Sequence, residues 1–302
     1  MKTVILKNLY QGENSVKMMI RNGEKIYQQL TKFVFDVDKD SIVFQETGGT
    51  DTLTITANEP WAMTVPGWVS ASALSGKTSA TITLTSQPTE ETLEGDIVIT
   101  CNGVQKTVSV TAVVHDYSKD YLTIEAIGDG FVRANGGGLY FSINNGEWYT
   151  TNNPVNLMSG DTVRIKSTRF CSQHAGVFLE TSLPCNIYGN IMSLGYGDEF
   201  EGKTEIPSYA YNSCFRNWSG IVSAKNLVLP ATTLVTNCYQ YMFQNCGNLS
   251  YIKCLATYIS AQDCTHNWLS GVSPTGTFVK AAGVTWPTGN SGIPSGWTVI
   301  EE

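Results

Sequence analysis

Two stretches of sequence decide the fold of the carboxyl-terminal third of the chain: YNSCFRNWSGIVSAKNLVLPATTL at 211–234 and YQYMFQNCGNLSYIKCLATYI at 239–259. They align at a period of 28 residues, and the matched positions are Tyr211 with Tyr239, Phe215 with Phe243, Asn217 with Asn245, and Ile221 with Leu249. Self-similarity at a fixed period of this length indicates stacked repeat units that share one core. The sequence therefore predicts a short repeat solenoid over residues 196–302.

A degraded third copy, DCTHNWLSGV at 263–272, aligns Asn267 with Asn245 at a shorter spacing. Three stacked units are the usual minimum for burying a solenoid core. So short an array is therefore expected to need help from neighbouring modules or from other chains. A homotrimer would supply such burial.

The chain has eight cysteines, seven of them between positions 171 and 264. Cys238, Cys246, Cys254 and Cys264 are too widely spaced for any two of them to form the close pair that nucleates a structural zinc site. Small, apolar cysteine side chains suit the gaps between stacked turns. We therefore expect buried free thiols and no metal site.

Residues 31–115 read as a β-sandwich of the immunoglobulin type. Seven short runs alternate apolar and polar residues, and turn signals such as Asn102 with Gly103 separate them. Trp61 and Trp68 flank a Pro-Gly break, so at least one of them is expected in the core. The acidic run DVDKD at 36–40 lacks the glycine and glutamate of a calcium-binding loop, which favours a solvated strand edge.

Residues 120–195 form a predicted β-hairpin module. The stretch YFSINNGEWYTT at 140–151 reads as a hairpin with Asn145 and Gly146 at its tip, in a type I′ turn. With a β-segment at 1–30, the overall expectation is a mainly β protein of four parts: residues 1–30, 31–115, 120–195 and 196–302.

Two of these parts resemble known families. The stretches at 40–72 and 80–112 resemble a BACON domain, an immunoglobulin-like sandwich found in proteins of gut Bacteroidetes and their phages. Residues 196–302 resemble a BspA-type leucine-rich-like repeat, and the hairpin module resembles the β-module that precedes such repeats. These resemblances imply adhesion modules, with carbohydrate binding suggested for the BACON family.

Charge narrows the choice of partners. The net charge is −7, which argues against nucleic acid as the main partner because phosphate binding needs a basic face. Residues 1–30 instead carry a net charge of +3, which fits a segment that docks on a partner such as a capsid protein or another virion protein. No apolar run is long enough to cross a bilayer, so no membrane insertion is expected.

Candidate functional residues are few. The three histidines are scattered and no nucleophile motif accompanies them, so no catalytic residue, enzyme activity or cofactor is predicted. The adjacent acids Asp198 and Glu199 have only their adjacency to suggest glycoside cleavage. Trp148, after the hairpin turn, and Trp218, in the repeat, are the candidate sugar contacts; Trp286 and Trp297 are expected to cap the repeat.

Three functions fit these features. The favoured one is a phage virion protein, a head fibre or decoration of the kind found in crAss-like phages. It would dock through residues 1–30 and present its modules to host-surface or mucin glycans. The opening stretch MKTVILKNLYQGENSVK lacks a secretory signal, which suits assembly in a host cytoplasm and release by lysis. The alternatives are a bacterial cell-surface adhesin and a glycan-active enzyme.

Overall fold

The computed structural model describes residues 4–11, 14–21, 24–30 and 32–302, with side chains from residue 32 onward. The protein is mainly β and divides into two compact units, Met1–His115 and Asp116–Glu302. The first unit begins with a three-stranded antiparallel sheet in the order β1-β2-β3, formed by β1 (Val4–Gln11), β2 (Asn14–Arg21) and β3 (Glu24–Leu30). The predicted docking side chains of residues 1–30 lie outside the described residues.

Residues 35–113 form two sheets that share one core. The strands are β4 (Phe35–Val37), β5 (Ser41–Gln45), β6 (Gly49–Ala57), β7 (Trp61–Thr64), β8 (Val69–Ala71), β9 (Ser75–Gly76), β10 (Ala80–Ser86), β11 (Leu93–Cys101) and β12 (Val104–Val113). One sheet has the order β4-β6-β10-β8 and the other the order β5-β12-β11-β7-β9. The arrangement confirms the predicted β-rich sandwich.

Strict alternation along these strands builds the sandwich core. In β11, for example, Ile97, Ile99 and Cys101 are fully buried while the residues between them are not. Side chains of successive strand residues point to opposite faces, so one face of each sheet becomes apolar. Trp61 joins this core at 3% exposure, and its indole N–H donates to the Thr78 carbonyl at 2.9 Å, whereas Trp68 is half-buried against it.

The second unit contains the remaining strands and the only α-helical turn among the described residues. They are β13 (Leu122–Ala126), β14 (Gly130–Asn135), β15 (Leu139–Ile143), β16 (Val155–Leu157), β17 (Thr162–Ser167), β18 (Phe178–Thr181), β19 (Cys185–Asn190), α1 (Ser193–Tyr196), β20 (Ile221–Ser223), β21 (Leu227–Val228), β22 (Tyr251–Cys254), β23 (Gly276–Lys280) and β24 (Trp297–Glu301). Two 3₁₀ turns occupy Tyr117–Lys119 and Gly197–Glu199. No helix in the described part of the chain is long and apolar enough to cross a membrane.

Three sheets organise this unit around one continuous core. The first has the order β15-β17-β13-β19-β20, with β21 also paired to β19; the second is β16-β14-β18; the third is the parallel sheet β22-β23-β24. The core runs without interruption from Leu122 to Trp297. The predicted hairpin module and the predicted repeat region therefore pack as one body.

The hairpin after β15 differs by one residue from its predicted form. Asn144 and Asn145 both have positive φ, 46° and 60°, and the Gly146 N–H donates to the Ile143 carbonyl at 2.7 Å. The two central residues of the type I′ turn are thus Asn144 and Asn145, not Asn145 and Gly146. Asparagine tolerates the left-handed region, so either placement suits the sequence, and strand pairing decides between them.

The repeat region consists of stacked turns joined by main-chain hydrogen bonds. The N–H groups of Tyr211 and Phe215 donate to the carbonyls of Cys238 and Met242, at 2.9 Å each. Equivalent positions of the first two turns face each other, in agreement with the alignment of the sequence. Residues with a left-handed backbone conformation, that is with positive φ, recur at matching positions in three turns. They are Tyr209, Ser213 and Asn217; Asn237, Tyr241 and Asn245; and Asp263, Asn267 and Gly271.

This pattern corrects the predicted alignment of the third copy. Asn267 matches Tyr241, and the residue that matches Asn245 is Gly271. The Asn245 N–H donates to the Ser270 carbonyl at 2.8 Å, in agreement with that match. The structure shows stacked turns beside a parallel sheet, and their classification as a leucine-rich-like solenoid stays a prediction.

An asparagine ladder runs along these matched positions and ends at a glycine. The Asn245 side-chain amide donates to Asn217 Oδ1 at 2.8 Å. Gly271 has a φ of +75°, and a Cβ placed on it would lie 2.7 Å from Asn245 Oδ1. A side chain at 271 would therefore press on the ladder and force an unfavourable backbone conformation.

Replacing Gly271 with alanine is expected to destabilise the protein by about 2–3 kcal/mol, because backbone strain and a displaced Asn245 amide add together. Gly283→Ala is the matched control. Gly283 has nearly the same φ, +74°, yet a Cβ there meets nothing within 4 Å. Chemical denaturation should give the control a loss of only about 1 kcal/mol. Equal losses in the two variants would contradict the role of the ladder.

Candidate ligand-binding site

The candidate site lies on the outer face of the β15-β17-β13 sheet. Along β17, Val163 and Ile165 are buried, so the intervening Arg164 and Lys166 point to the opposite face. The antiparallel register places Tyr140 of β15 beside Lys166, and Ser142 beside Arg164. An exposed aromatic ring and two cations therefore share one surface.

The hairpin brings Trp148 onto this surface. Phe141 and Tyr149 exchange two main-chain hydrogen bonds, at 2.8 and 3.0 Å, which fixes the orientation of the returning chain. The Trp148 ring is half-buried. Its centroid lies 4.3 Å from Lys166 Nζ and 4.9 Å from the centroid of the Tyr121 ring, with which it makes an edge-on contact. Cation–π and aromatic contacts thus hold the indole in place.

Asp198 completes the site from the second 3₁₀ turn. Its Oδ1 accepts hydrogen bonds from the Tyr121 hydroxyl at 2.6 Å and from Lys166 Nζ at 2.7 Å, and Oδ2 accepts from the same Nζ at 2.9 Å. The Lys166 side chain is 15% exposed, whereas that of Asp198 is 65% exposed. The carboxylate is therefore anchored on one side and open to solvent on the other.

The electrostatics keep this carboxylate ionised. Hydrogen bonds from Lys166, and then from Tyr121, hold the pKa of Asp198 below its ordinary value of 3.8. Burial, followed by the hydrogen bond to Asp198, raises the pKa of Tyr121 to about 12. At neutral pH the site therefore contains an anionic acceptor, Asp198, and a neutral phenol, Tyr121, that donates a hydrogen bond to it.

Between these groups lies a groove of about 300 Å³, here called the Trp148 groove. Its lining consists of Tyr140, Trp148, Lys166, Ser167, Thr168, Gly197 and Asp198. Ligand sites of proteins begin at roughly this volume, which suits one small ring. Apolar ring surface with a few convergent polar groups is the usual composition of such a site.

The structure separates the two tryptophans that were predicted as sugar contacts. Trp148 lines the groove. Trp218 is buried in the core: it is 3% exposed, its indole N–H donates to the Leu179 carbonyl at 3.3 Å, and its ring packs edge-on against Phe215. The prediction that Trp218 contacts a ligand is wrong, because the turn before β20 directs the ring into the core.

Of the other groove residues, the sequence singled out only Asp198, and that acid was considered for glycoside cleavage, not as a ligand contact. Tyr140 and Lys166 could have been found by pairing the hairpin strands, since both lie on the Trp148 face. Asp198 has no such signal, because its contacts with Tyr121 and Lys166 span 77 and 32 residues. The hydrogen bonds from Lys166 and Tyr121 also weaken the glycosidase alternative. They lower the pKa of Asp198, and a carboxyl with a lowered pKa does not supply a proton at neutral pH.

The residues considered for metal binding have other partners. Asp36 binds Lys106 at 2.7 Å, and Asp38 accepts from the Thr54 N–H at 2.7 Å. The thiols of Cys246 and Cys264 donate to the carbonyls of Phe215 and Ile259. All eight cysteines are buried as free thiols, and burial raises the pKa of Cys246 and of Cys254 to about 12. Among the described residues no cluster of potential metal ligands occurs.

Comparison with known proteins gives only distant similarities. No family model matches the sequence, and no curated protein matches it. Solved structures that resemble parts of the chain include the following three. A Bacteroides ovatus GH5 xyloglucanase in complex with a XXXG heptasaccharide has 13% identity and a TM-score of 0.26, over 30% of this chain and 20% of that one. Domains 4 and 5 of the S-layer protein SbsC have 14% identity and a TM-score of 0.22, over 33% and 65%. The Yersinia pseudotuberculosis adhesin InvE has 9% identity and a TM-score of 0.20, over 51% and 58%.

Overlaps this weak do not define a family, and the chain spans only a fifth of the xyloglucanase. What the fold and the groove define is a mainly β protein of two compact units, one of which carries an aromatic groove with an ionised, exposed carboxylate at its edge.

Proposed function

We propose that the protein is a non-enzymatic adhesion protein and that its Trp148 groove binds a neutral saccharide. The observation that carries the proposal is the combination of the Trp148 and Tyr140 rings with the exposed carboxylate of Asp198. Aromatic faces pack against the C–H faces of pyranose rings, and a carboxylate accepts hydrogen bonds from sugar hydroxyls. The groove offers aromatic faces and a carboxylate around a space that holds one sugar ring.

The Asp198 carboxylate can accept one further hydrogen bond. A carboxylate has about four lone-pair sites. Three of them accept hydrogen bonds from Tyr121 and Lys166, which leaves one site on the solvent side. An added hydroxyl donor would be a charge-assisted partner, roughly twice as strong as a neutral one.

The same carboxylate selects against acidic sugars. Among the residues that line the groove, Asp198 already neutralises the cation Lys166, so an incoming uronate would meet an ionised acid without an unpaired cation in the lining. The chain as a whole is also negative, at −7. Like charges in close contact weaken binding, and the groove is therefore expected to prefer neutral hexosides.

Titration with methyl glycosides tests the proposal. The probes are methyl glucoside, methyl galactoside and methyl mannoside, against methyl glucuronide as the acidic counterpart, followed through tryptophan fluorescence and isothermal calorimetry. A glycan array of mucin and capsular saccharides extends the search to larger ligands. Silence of both assays would leave the protein with a structural role only.

Saccharide binding is expected to depend on pH through Asp198. Because its pKa is lowered, the carboxylate is still more than half ionised at pH 3.8. Affinity should therefore stay constant between about pH 8 and pH 5 and fall only as the pH drops through the lowered pKa. The Asp198→Asn variant should bind more weakly at neutral pH, with a flat profile. A decline centred near pH 6 in the unmodified protein would contradict this assignment.

We further propose that these modules belong to a phage virion protein, a head fibre or decoration, which docks through residues 1–30 and assembles as a homotrimer. The support is the resemblance of the sequence to BACON and BspA-type modules, and a bacterial cell-surface adhesin is the alternative. Mass spectrometry of purified virions tests the location. Light scattering of the purified chain tests the trimer, which a monomer at all concentrations would exclude.

A further inference from the structure

Two buried thiols lie in unusually close contact within the second unit. The Sγ atoms of Cys171 and Cys214 are 3.0 Å apart, and both side chains are fully buried. A disulfide bond measures about 2.05 Å, so a movement of roughly 1 Å separates this contact from a covalent bond. Cys171 follows β17, and Cys214 lies in the first stacked turn of the repeat region.

We propose that Cys171 and Cys214 form a disulfide when the protein meets oxidising surroundings. The bond would close a loop of 43 residues and join the β17 end of the sheet to the stacked turns. It would form independently of whether the Trp148 groove binds saccharides, so this inference goes beyond the proposed function. It makes the pair a covalent modification site within the core of the unit.

Hydrogen bonding distinguishes this pair from four of the other six cysteines. The thiols of Cys101, Cys238, Cys246 and Cys264 donate to backbone carbonyls, and these contacts do not join two sulfur atoms. Cys101 belongs to the first unit. Between Cys171 and Cys214 each sulfur has the other as its partner, which is the arrangement that thiol–disulfide exchange requires of two cysteines in one chain.

The chemistry needs an external oxidant, and a small-molecule disulfide such as oxidised glutathione suffices. One cysteine loses its proton, and its thiolate attacks the glutathione disulfide, forming a mixed disulfide and releasing one glutathione thiolate. The second cysteine, also as thiolate, then attacks the protein-bound sulfur and releases the other glutathione. Two protein thiols are oxidised to one disulfide, and one glutathione disulfide is reduced to two thiols that take up the two protons.

Access to the pair runs through the adjacent turn. Residues 173–176 are exposed and directly follow Cys171 and Ser172. An isolated antiparallel β-bridge pairs Ser172 with Val177 and closes this turn. Burial raises the pKa of Cys214 well above its ordinary value, so reaction of the closed protein is expected to be slow. Local opening of the turn, or oxidation before folding is complete, admits the oxidant.

Thiol counting by mass spectrometry tests the proposal on the full chain. Protein prepared with reductant is incubated with oxidised glutathione, either folded or during refolding from denaturant, and is then alkylated under denaturing conditions. Alkylated thiols should fall from eight to six, and digestion should yield a peptide pair linked through Cys171 and Cys214. The midpoint of thermal unfolding should rise by about 5–15 °C, and a reductant should reverse the rise.

Matched variants assign the bond. Cys171→Ala and Cys214→Ala should each abolish the linked peptide and the thermal shift, while Cys101→Ala, which removes a buried thiol in the other unit, should retain both. If a variant folds poorly, the presence or absence of the linked peptide in the unmodified protein decides the outcome. Absence of the Cys171–Cys214 peptide from both the folded and the refolded samples overturns the proposal.

Discussion

Replacing Trp148 with alanine is expected to lower the affinity of the Trp148 groove for neutral saccharides by roughly 10- to 100-fold. The indole is the largest side chain that lines the groove, and losing its contact with a sugar ring is expected to cost about 1.5–3 kcal/mol. Trp148→Phe keeps an aromatic face and should retain most of the affinity. Calorimetric titration with the best-binding methyl glycoside measures both effects.

Tyr258→Ala is the control for this experiment. Tyr258 is 53% exposed and lies outside the residues that line the Trp148 groove, so its loss should leave affinity unchanged. Thermal unfolding of Trp148→Ala must be followed in parallel, because the indole also contacts Tyr121 and Lys166. Unchanged affinity in a Trp148→Ala variant that unfolds at the normal temperature would refute the assigned site.

The sequence predicted most of the fold because two periodicities are strong. Alternation of apolar and polar residues located the strands of the sandwich. The match between the two repeat copies located the first two stacked turns, whose left-handed residues coincide at Asn217 and Asn245. The third turn was misaligned because its period is shorter and a glycine, Gly271, replaces the ladder asparagine. Neither change leaves a signal in the apolar pattern.

The site was predicted only where local structure determines it. Trp148 follows a tight turn, and the hairpin that this turn closes brings the residue onto the sheet surface. Asp198 is held at the groove by contacts with Tyr121 and Lys166, which belong to distant segments, and no local pattern encodes such contacts. The error at Trp218 was avoidable: in the alignment of the two repeat copies it matches Cys246, which was expected to be a buried filler, and both residues are buried.

Replacing Trp218 with alanine is expected to destabilise the second unit by about 3–5 kcal/mol, without a direct effect on saccharide binding. The ring is 3% exposed and packs edge-on against Phe215, with ring centroids 5.2 Å apart, so truncation leaves a large cavity. The substitution also removes the indole N–H that donates a hydrogen bond to the Leu179 carbonyl. Thermal unfolding should shift downward by roughly 6–20 °C for a unit of this size.

Two further measurements separate a core role from a ligand-contact role at Trp218. Trp218→Phe retains most of the ring volume but not the N–H donor, and should lose only about 1–3 kcal/mol, of which part is the unpartnered Leu179 carbonyl. Saccharide affinity, measured well below the unfolding temperature of each variant, should equal that of the unmodified protein, because Trp218 does not line the Trp148 groove. A loss of affinity at unchanged stability would show that the ring reaches a ligand after all. We therefore expect Trp218→Ala to lower stability and leave affinity unchanged, whereas Trp148→Ala should mainly lower affinity. Trp218 stabilises the fold, and Trp148 contacts the ligand.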